Sequence, residues 1–238
     1  MIRITGSFSY EGQRLFEDID FALEPGAWTC LLGPSGVGKS TLLRLLAGLE
    51  THGEFDGRIE SGDGRPLDGR VAYMAQQDLL LPWLEVTGNV TLGAKLRGET
   101  PDLARAGRLI SAVGLGPHSH KFPHELSGGM RQRAALARTL MEDKPFVFLD
   151  EPFSALDART RAEMQELAFG LLEDRTVLLV THDPAEAARL GGRIAILDET
   201  GLREFPAGSP TPLRPAGARA TLDLQARLLQ DLRKAHAT

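Results

Sequence analysis

Residues 33–41 read GPSGVGKST and match the pattern G-x-x-x-x-G-K-[ST] at Gly33, Gly38, Lys39 and Ser40. Gly33, Gly36 and Gly38 let backbone N–H groups turn inward around phosphate oxygens, with Pro34, Ser35 and Val37 completing the loop. Lys39 supplies a point charge for β- and γ-phosphates, and Ser40 a hydroxyl for Mg²⁺. From Thr41 to Leu49 apolar residues recur at helical spacing. The N-terminus of that helix also favours an anion.

Two further segments carry chemistry. Residues 146–151 (FVFLDE) are an apolar run that ends in two carboxylates. Asp150 there can hold Mg²⁺ through water, and Glu151 can polarise an attacking water. Residues 126–133 (LSGGMRQR) place Ser127, Gly128 and Gly129 at the start of a helix that runs on through Ala134, Ala137 and Leu140. A hydroxyl and bare N–H groups at a helix start form a second anion site. A chain with one phosphate loop needs no second anion site for its own nucleotide.

These residues require elements to position them. The runs 28–32, 146–149, 177–180 and 193–197 are short, continuous and apolar, as in parallel strands buried on both faces. They alternate with helical stretches, which predicts an α/β core at about 1–75 and 142–205. Residues 76–141 contain helical segments near 101–113 and 128–141 and are expected to form an inserted helical subdomain. Residues 53–69 are glycine-rich and polar, and read as a hairpin-like region. Residues 206–217 read as a linker, and 218–236 as one amphipathic helix.

The composition is that of an ordinary soluble domain. The 238 residues suit one large domain, 42% hydrophobic and 25% charged. A net charge of -5 argues against a nucleic-acid partner. No apolar run approaches a membrane span, and the first residues lack the apolar stretch of a secretory signal, so a cytosolic chain is expected. The single cysteine, Cys30, lies in an apolar run and is expected to be a buried structural thiol. His118, His120 and His124 stand in a turn-rich stretch without a ligand cluster of metal-site spacing, and are expected to be exposed loop residues. The arginines of 131–138 read as a solvated or interface face.

Over nearly its whole length, and in the same order, the chain resembles the ATP-binding subunits of ABC transporters. LSGGMRQR is similar to their signature sequence, and SALD (154–157) to their D-loop with Asp157. Gln76, six residues before Pro82, resembles the Q-loop glutamine, with Gln77 as the neighbouring alternative. THD (181–183) puts His182 where the family has its switch histidine. Tyr10 resembles the aromatic that stacks on adenine, with Phe8 as the rival. The resemblance implies a P-loop NTPase core with an N-terminal antiparallel β region, and hydrolysis of ATP to ADP and phosphate. Ser40, Gln76 and Asp150 would organise Mg²⁺. Glu151 would act as general base or orient the water, and His182 would contact the γ-phosphate. Ser127, Gly128 and Gly129 would complete the site of a second subunit in a head-to-tail dimer, as a homodimer or with a similar ATPase subunit.

LLLPWLEVTGNV (79–90) is similar to importers of nitrate, sulfonates, taurine and pyrimidine precursors, where this stretch meets the permease. That implies integral-membrane permease partners, with a periplasmic or lipid-anchored solute-binding protein served indirectly. The subunit would sit peripherally on the inner face of the cell membrane. Trp83 is expected either in the permease contact or packed within its own subdomain. The alternatives are the ATPase subunit of an exporter or lipoprotein-release system, and a soluble non-transport ATPase.

Overall fold

The computed structural model describes residues 1–207 and 212–235. The chain divides into two compact units, Met1–Val71 with Asp174–Thr238, and Ala72–Glu173. Part of the expected linker (208–211), the last residue of the expected terminal helix (236) and residues 237–238 lie outside the described residues.

The first unit contains an antiparallel sheet built from β1 (Ile2–Tyr10), β2 (Gln13–Leu23) and β4 (Glu54–Ser61), in the order β2-β1-β4. The β1–β2 connection is the two-residue turn Glu11–Gly12, both at positive φ (49° and 78°), which matches the twist of a tight hairpin. Ile2, Ile4, Phe8, Phe16, Ile19, Phe21 and Leu23 are buried. The rings of Phe8 and Phe16 stack with centroids 5.7 Å apart.

Residues 53–69 are not a hairpin. β4 pairs along β1, with Ile59 opposite Ile4 and Gly57 opposite Gly6. The glycines serve strand contact as well as turning. A Cβ on Gly57 would lie 2.2 Å from the Thr5 carbonyl oxygen. The loop after β4 closes on Asp63, which accepts from Arg70 (2.7 Å) and Ser61 (2.6 Å).

The parallel strands of this unit are β3 (Trp28–Leu32), β7 (Thr176–Val180) and β8 (Arg193–Asp198). β9 (Gly201–Phe205) closes the edge antiparallel to β8. Cys30 pairs with Leu179 on one side and Ile194 on the other. Every residue of β3 and β7 is buried, which is why both read as unbroken apolar runs. Burial pushes the pKa of the Cys30 thiol up, so the thiol is inert. α1 (Lys39–Leu46) buries Leu42, Leu43 and Leu46, each worth about 1.5–3 kcal/mol. α7 (Pro184–Leu190) follows β7, and α8 (Arg219–Ala235) packs on α7, with Leu224 and Leu228 buried.

The second unit pairs β5 (Val71–Met74) with β6 (Phe146–Asp150), all of β6 buried. Its helices are α2 (Val86–Val90), α3 (Leu92–Leu96), α4 (Leu103–Ala112), α5 (Gly128–Met141) and α6 (Ala158–Leu171). No helix among the described residues is long and apolar enough to cross a membrane.

Candidate functional site

The glycine-rich loop of the first unit leaves the end of β3 and enters α1 directly. Gly33 is required by a close approach. A Cβ there would lie 2.0 Å from the carbonyl oxygen of Leu197 on β8. At the other end, Gly38 caps α1 with φ 99°, against Leu15 and Phe16 of β2. Lys39 is 6% exposed, yet its ammonium donates to the Gly33 (2.8 Å) and Pro34 (2.5 Å) carbonyls. The positive charge is therefore held inside the loop before any anion arrives. Ser35, Gly36 and Ser40 are exposed, and Val37 and Thr41 are half-buried. Exposed N–H groups, an oriented ammonium and a helix start together fit a polyphosphate.

His182 leaves the same sheet edge. Leu31 and Val180 are register partners, and the Thr181 N–H donates to the Leu31 carbonyl (3.1 Å). Thr181 and Asp183 form the scaffold of this turn. The Thr181 hydroxyl donates to buried Glu186 (2.7 Å) and accepts from the Asp183 N–H (3.0 Å), while Asp183 caps α7 through Ala185 (2.8 Å). His182 between them is exposed. On the antiparallel sheet, Phe8 is buried and has no face to offer a base, whereas Tyr10 is 47% exposed.

In the second unit, Asp150 ends β6 with 3% exposure. Glu151 follows at φ 49°, a left-handed conformation that costs a non-glycine residue about 1–3 kcal/mol. Strain of this kind persists where surrounding contacts enforce it. Gln76 donates from Nε2 to Glu151 Oε2 at 3.2 Å, so this glutamine and the carboxylate meet. The amide oxygen of Gln76 then remains for a cation. Gln76 and its neighbour Gln77 are both exposed. Within the second unit the Gln76 amide oxygen and the Asp150 carboxylate are hard oxygen donors, and the Ser40 hydroxyl of the first unit is another, the chemistry Mg²⁺ prefers.

Ser127 caps α5, its Oγ accepting from the Met130 N–H at 3.3 Å. Ser127 and Gly128 are exposed and Gly129 is half-buried, so the helix start faces outward. Asp157 likewise caps α6, accepting from the Arg159 and Thr160 N–H groups, both at 3.1 Å. The Thr160 backbone bond, foremost, holds the Asp157 carboxyl below its usual pKa.

The arginines of 131–138, read as a solvated or interface face, are half-buried and bonded to neighbouring segments. Arg138 donates to the carbonyls of Asp78 (2.7 Å) and Leu79 (2.8 Å). Arg131 pairs with the Asp78 carboxylate (3.0 Å) and the Leu126 carbonyl (2.9 Å), and Arg133 reaches Val113 (2.9 Å). Burial lowers the Arg138 pKa, against the opposing pull of Asp78. Loop carbonyls without helical or strand partners attract these guanidinium forks. His120 and His124 are exposed, but His118 is half-buried, with Nδ1 screened from water.

Trp83 does not pack into its own unit; it is 69% exposed, and Leu79 nearby is 58% exposed. The loop that presents them is tied to a buried amide. Asn89 is fully buried, accepts from the Leu81 N–H (2.7 Å) and donates to the carbonyls of Leu81 (3.2 Å), Leu84 (2.9 Å) and Glu85 (3.2 Å).

Asn89 and Gln132 are functional candidates that the motifs did not single out. Gln132 is 5% exposed and shares a helix face with Leu136, Thr139 and Leu140. A long amide interrupting an apolar stripe is the signal that could have found it.

The model for the ABC transporter family matches residues 16–154. The chain is 47% identical to an aliphatic sulfonates import ATP-binding protein of Rhodococcus jostii, covering 81% of this chain and 77% of that one. Its identity to a protein of the same name from Pseudomonas savastanoi is 40%, over 96% of this chain and 94% of that one. An ATP-binding cassette dimer solved in a post-hydrolysis state with ADP and Pi is similar at a TM-score of 0.77 and 27% identity, covering 88% of this chain and 100% of that one. The chain belongs to the ABC transporter family. Within it the chain is an ATP-hydrolysing cassette, standing among the ATP-binding subunits of importers.

Proposed function

We propose that this chain powers import of a small solute of the sulfonate class, working as a head-to-tail dimer against separate permease subunits. The observation that carries the reading is the exposure of Leu79 and Trp83 on the loop that follows Gln76. A large aromatic held in water by a buried amide clamp has the character of a docking surface. Its partner would be an apolar segment of the membrane subunit, with the chain peripheral on the cytoplasmic face. The names of the relatives support the sulfonate class. We take residues 76–141 as the helical subdomain and the flanking 1–75 and 142–205 as the core.

In this reading Lys39 and the N–H groups of 36–40 hold the ATP phosphates, and Tyr10 stacks on the adenine. Ser40, Gln76 and Asp150 would hold Mg²⁺, which would supply neutralisation of phosphate charge. Glu151 takes a proton from the attacking water, and His182 contacts the γ-phosphate. Ser127, Gly128 and Gly129 complete the partner's site, and Asp157 lies at the dimer interface. Opening and closing of the dimer is the output passed to the permease.

Deleting the gene should abolish growth on an alkanesulfonate as sole sulfur source, with restoration by the intact gene. In the assembled transporter, Trp83→Cys should crosslink to a cytoplasmic loop of the membrane subunit. The only native thiol, Cys30, is buried and will not compete. Normal growth of the deletion strain would remove the sulfonate assignment. Crosslinks that form elsewhere on the subunit but never from position 83 would remove the docking assignment.

Ser127→Arg should abolish turnover while leaving ATP binding to the isolated subunit nearly intact. A mixed dimer of one Ser127→Arg chain and one Lys39→Ala chain distinguishes the arrangements. In a head-to-tail dimer one site carries both defects and the other carries neither, so nucleotide trapping should find one intact site. Two singly damaged sites would mean that each chain uses its own signature.

A further inference from the structure

The Gln132 side chain uses both ends of its amide on one short stretch of chain. Nε2 donates to the Glu151 carbonyl at 3.0 Å and lies 3.4 Å from Ser154 Oγ, and Oε1 accepts from the Ala155 N–H at 2.8 Å. The Glu151 carbonyl also accepts from Ser154, through Oγ at 3.0 Å and through N–H at 3.3 Å. Glu151 is the residue with positive φ. Its carbonyl is thus gripped by three donors, and one comes from the helix capped by Ser127.

We propose that Gln132 is a positioning residue for hydrolysis, setting the backbone of Glu151 and thereby aiming its carboxylate. This rests on the reading of Glu151 as the base. Because Gln132 lies in the second turn of α5, it fastens the start of the signature helix to the Glu151–Ala155 turn. The anion site offered to one nucleotide and the carboxylate serving another then move as one body. A buried, fully used amide has the geometry for this, since each of its bonds ends on backbone or on Ser154.

The test uses the full-length subunit and steady-state MgATP hydrolysis. Gln132→Met keeps the length and removes both bonding ends. Its kcat should fall by about 10- to 100-fold, the effect of a misaimed group. KM and affinity for a fluorescent ATP analogue should stay within about threefold, because Gln132 touches no nucleotide-binding group. In a Glu151→Gln background the same substitution should cost nothing further, since the group it aims is already disabled. Unchanged kcat, a KM rise that accounts for the loss, or the full loss repeated in the Glu151→Gln background would each overturn the proposal. Should Gln132→Met fail to fold, Gln132→Glu keeps the acceptor for Ala155 and loses the donor to Glu151, and the same kcat loss is expected. If neither variant folds, Gln132 serves stability and the proposal falls. Native-rate hydrolysis by Glu151→Gln alone would instead remove the base assignment, which is a separate outcome.

Discussion

Glu151→Gln should stall the subunit as an ATP-bound closed dimer. Removing a general base costs about 10²–10⁴-fold in rate, and the amide keeps the shape while losing the basicity. The local structure should survive. The oxygen of the new amide can still accept the bond now made from Gln76 Nε2, and the backbone bonds from Gln132 and Ser154 do not involve the side chain. Binding uses other groups, so ATP still enters. Gel filtration in ATP should show a species of twice the subunit mass, and ADP should not produce it. If the variant turns over at the native rate, or remains monomeric in ATP, Glu151 is not the base and His182 becomes the leading candidate.

Lys39→Ala should abolish hydrolysis and weaken ATP binding by about 10- to 100-fold, the worth of one or two charge-assisted hydrogen bonds. The loss has two parts. The charge that would meet the β- and γ-phosphates disappears. The carbonyls of Gly33 and Pro34, which the ammonium now occupies, are left without that donor inside an anion cradle. Their partial negative charge then opposes the ligand. Titration with a fluorescent ATP analogue measures the binding loss, and phosphate release measures turnover. A purified Lys39→Ala protein with wild-type turnover would remove the phosphate-loop assignment. Lys39→Arg should not restore activity, because a guanidinium is too large for a site where Lys39 is 6% exposed.

The parts of the site legible in the sequence are those in which consecutive residues make the chemistry. In the glycine-rich loop the ligand-binding atoms belong to adjacent backbone units, so a string of nine residues contains them. The strand before it and the helix after it are local as well. The buried runs of β3, β6, β7 and β8 were recognisable because strands covered on both faces have few polar positions to interrupt them. Interactions between distant segments were not legible. The sequence 131–138 looked like a charged helix face because guanidinium groups usually seek water. Here Arg138 instead reaches carbonyls 59 and 60 residues away, an arrangement no local pattern encodes.

Strand pairing decided other points. Residues 53–69 have turn-forming composition, but the partner of β4 is β1, some fifty residues earlier. Its glycines serve a close antiparallel approach. Tyr10, the expected adenine-stacking aromatic, and its rival Phe8 are two residues apart. Tertiary packing separates them, stacking Phe8 on Phe16 in the core and leaving Tyr10 at the strand end by the turn.

The family, the order of the motifs and the residue types able to hold phosphate follow from local sequence, because those properties depend on neighbouring backbone and side-chain chemistry. Packing settles which glutamine meets Glu151 and which polar side chains are buried. It also settles that Trp83 stands in solvent on a clamped loop. Hydrogen bonds such as Gln76–Glu151 and Gln132–Ala155 span 75 and 23 residues. Their formation depends on how the packed elements bring those segments within about 3 Å, the range in which a donor and an acceptor can pair.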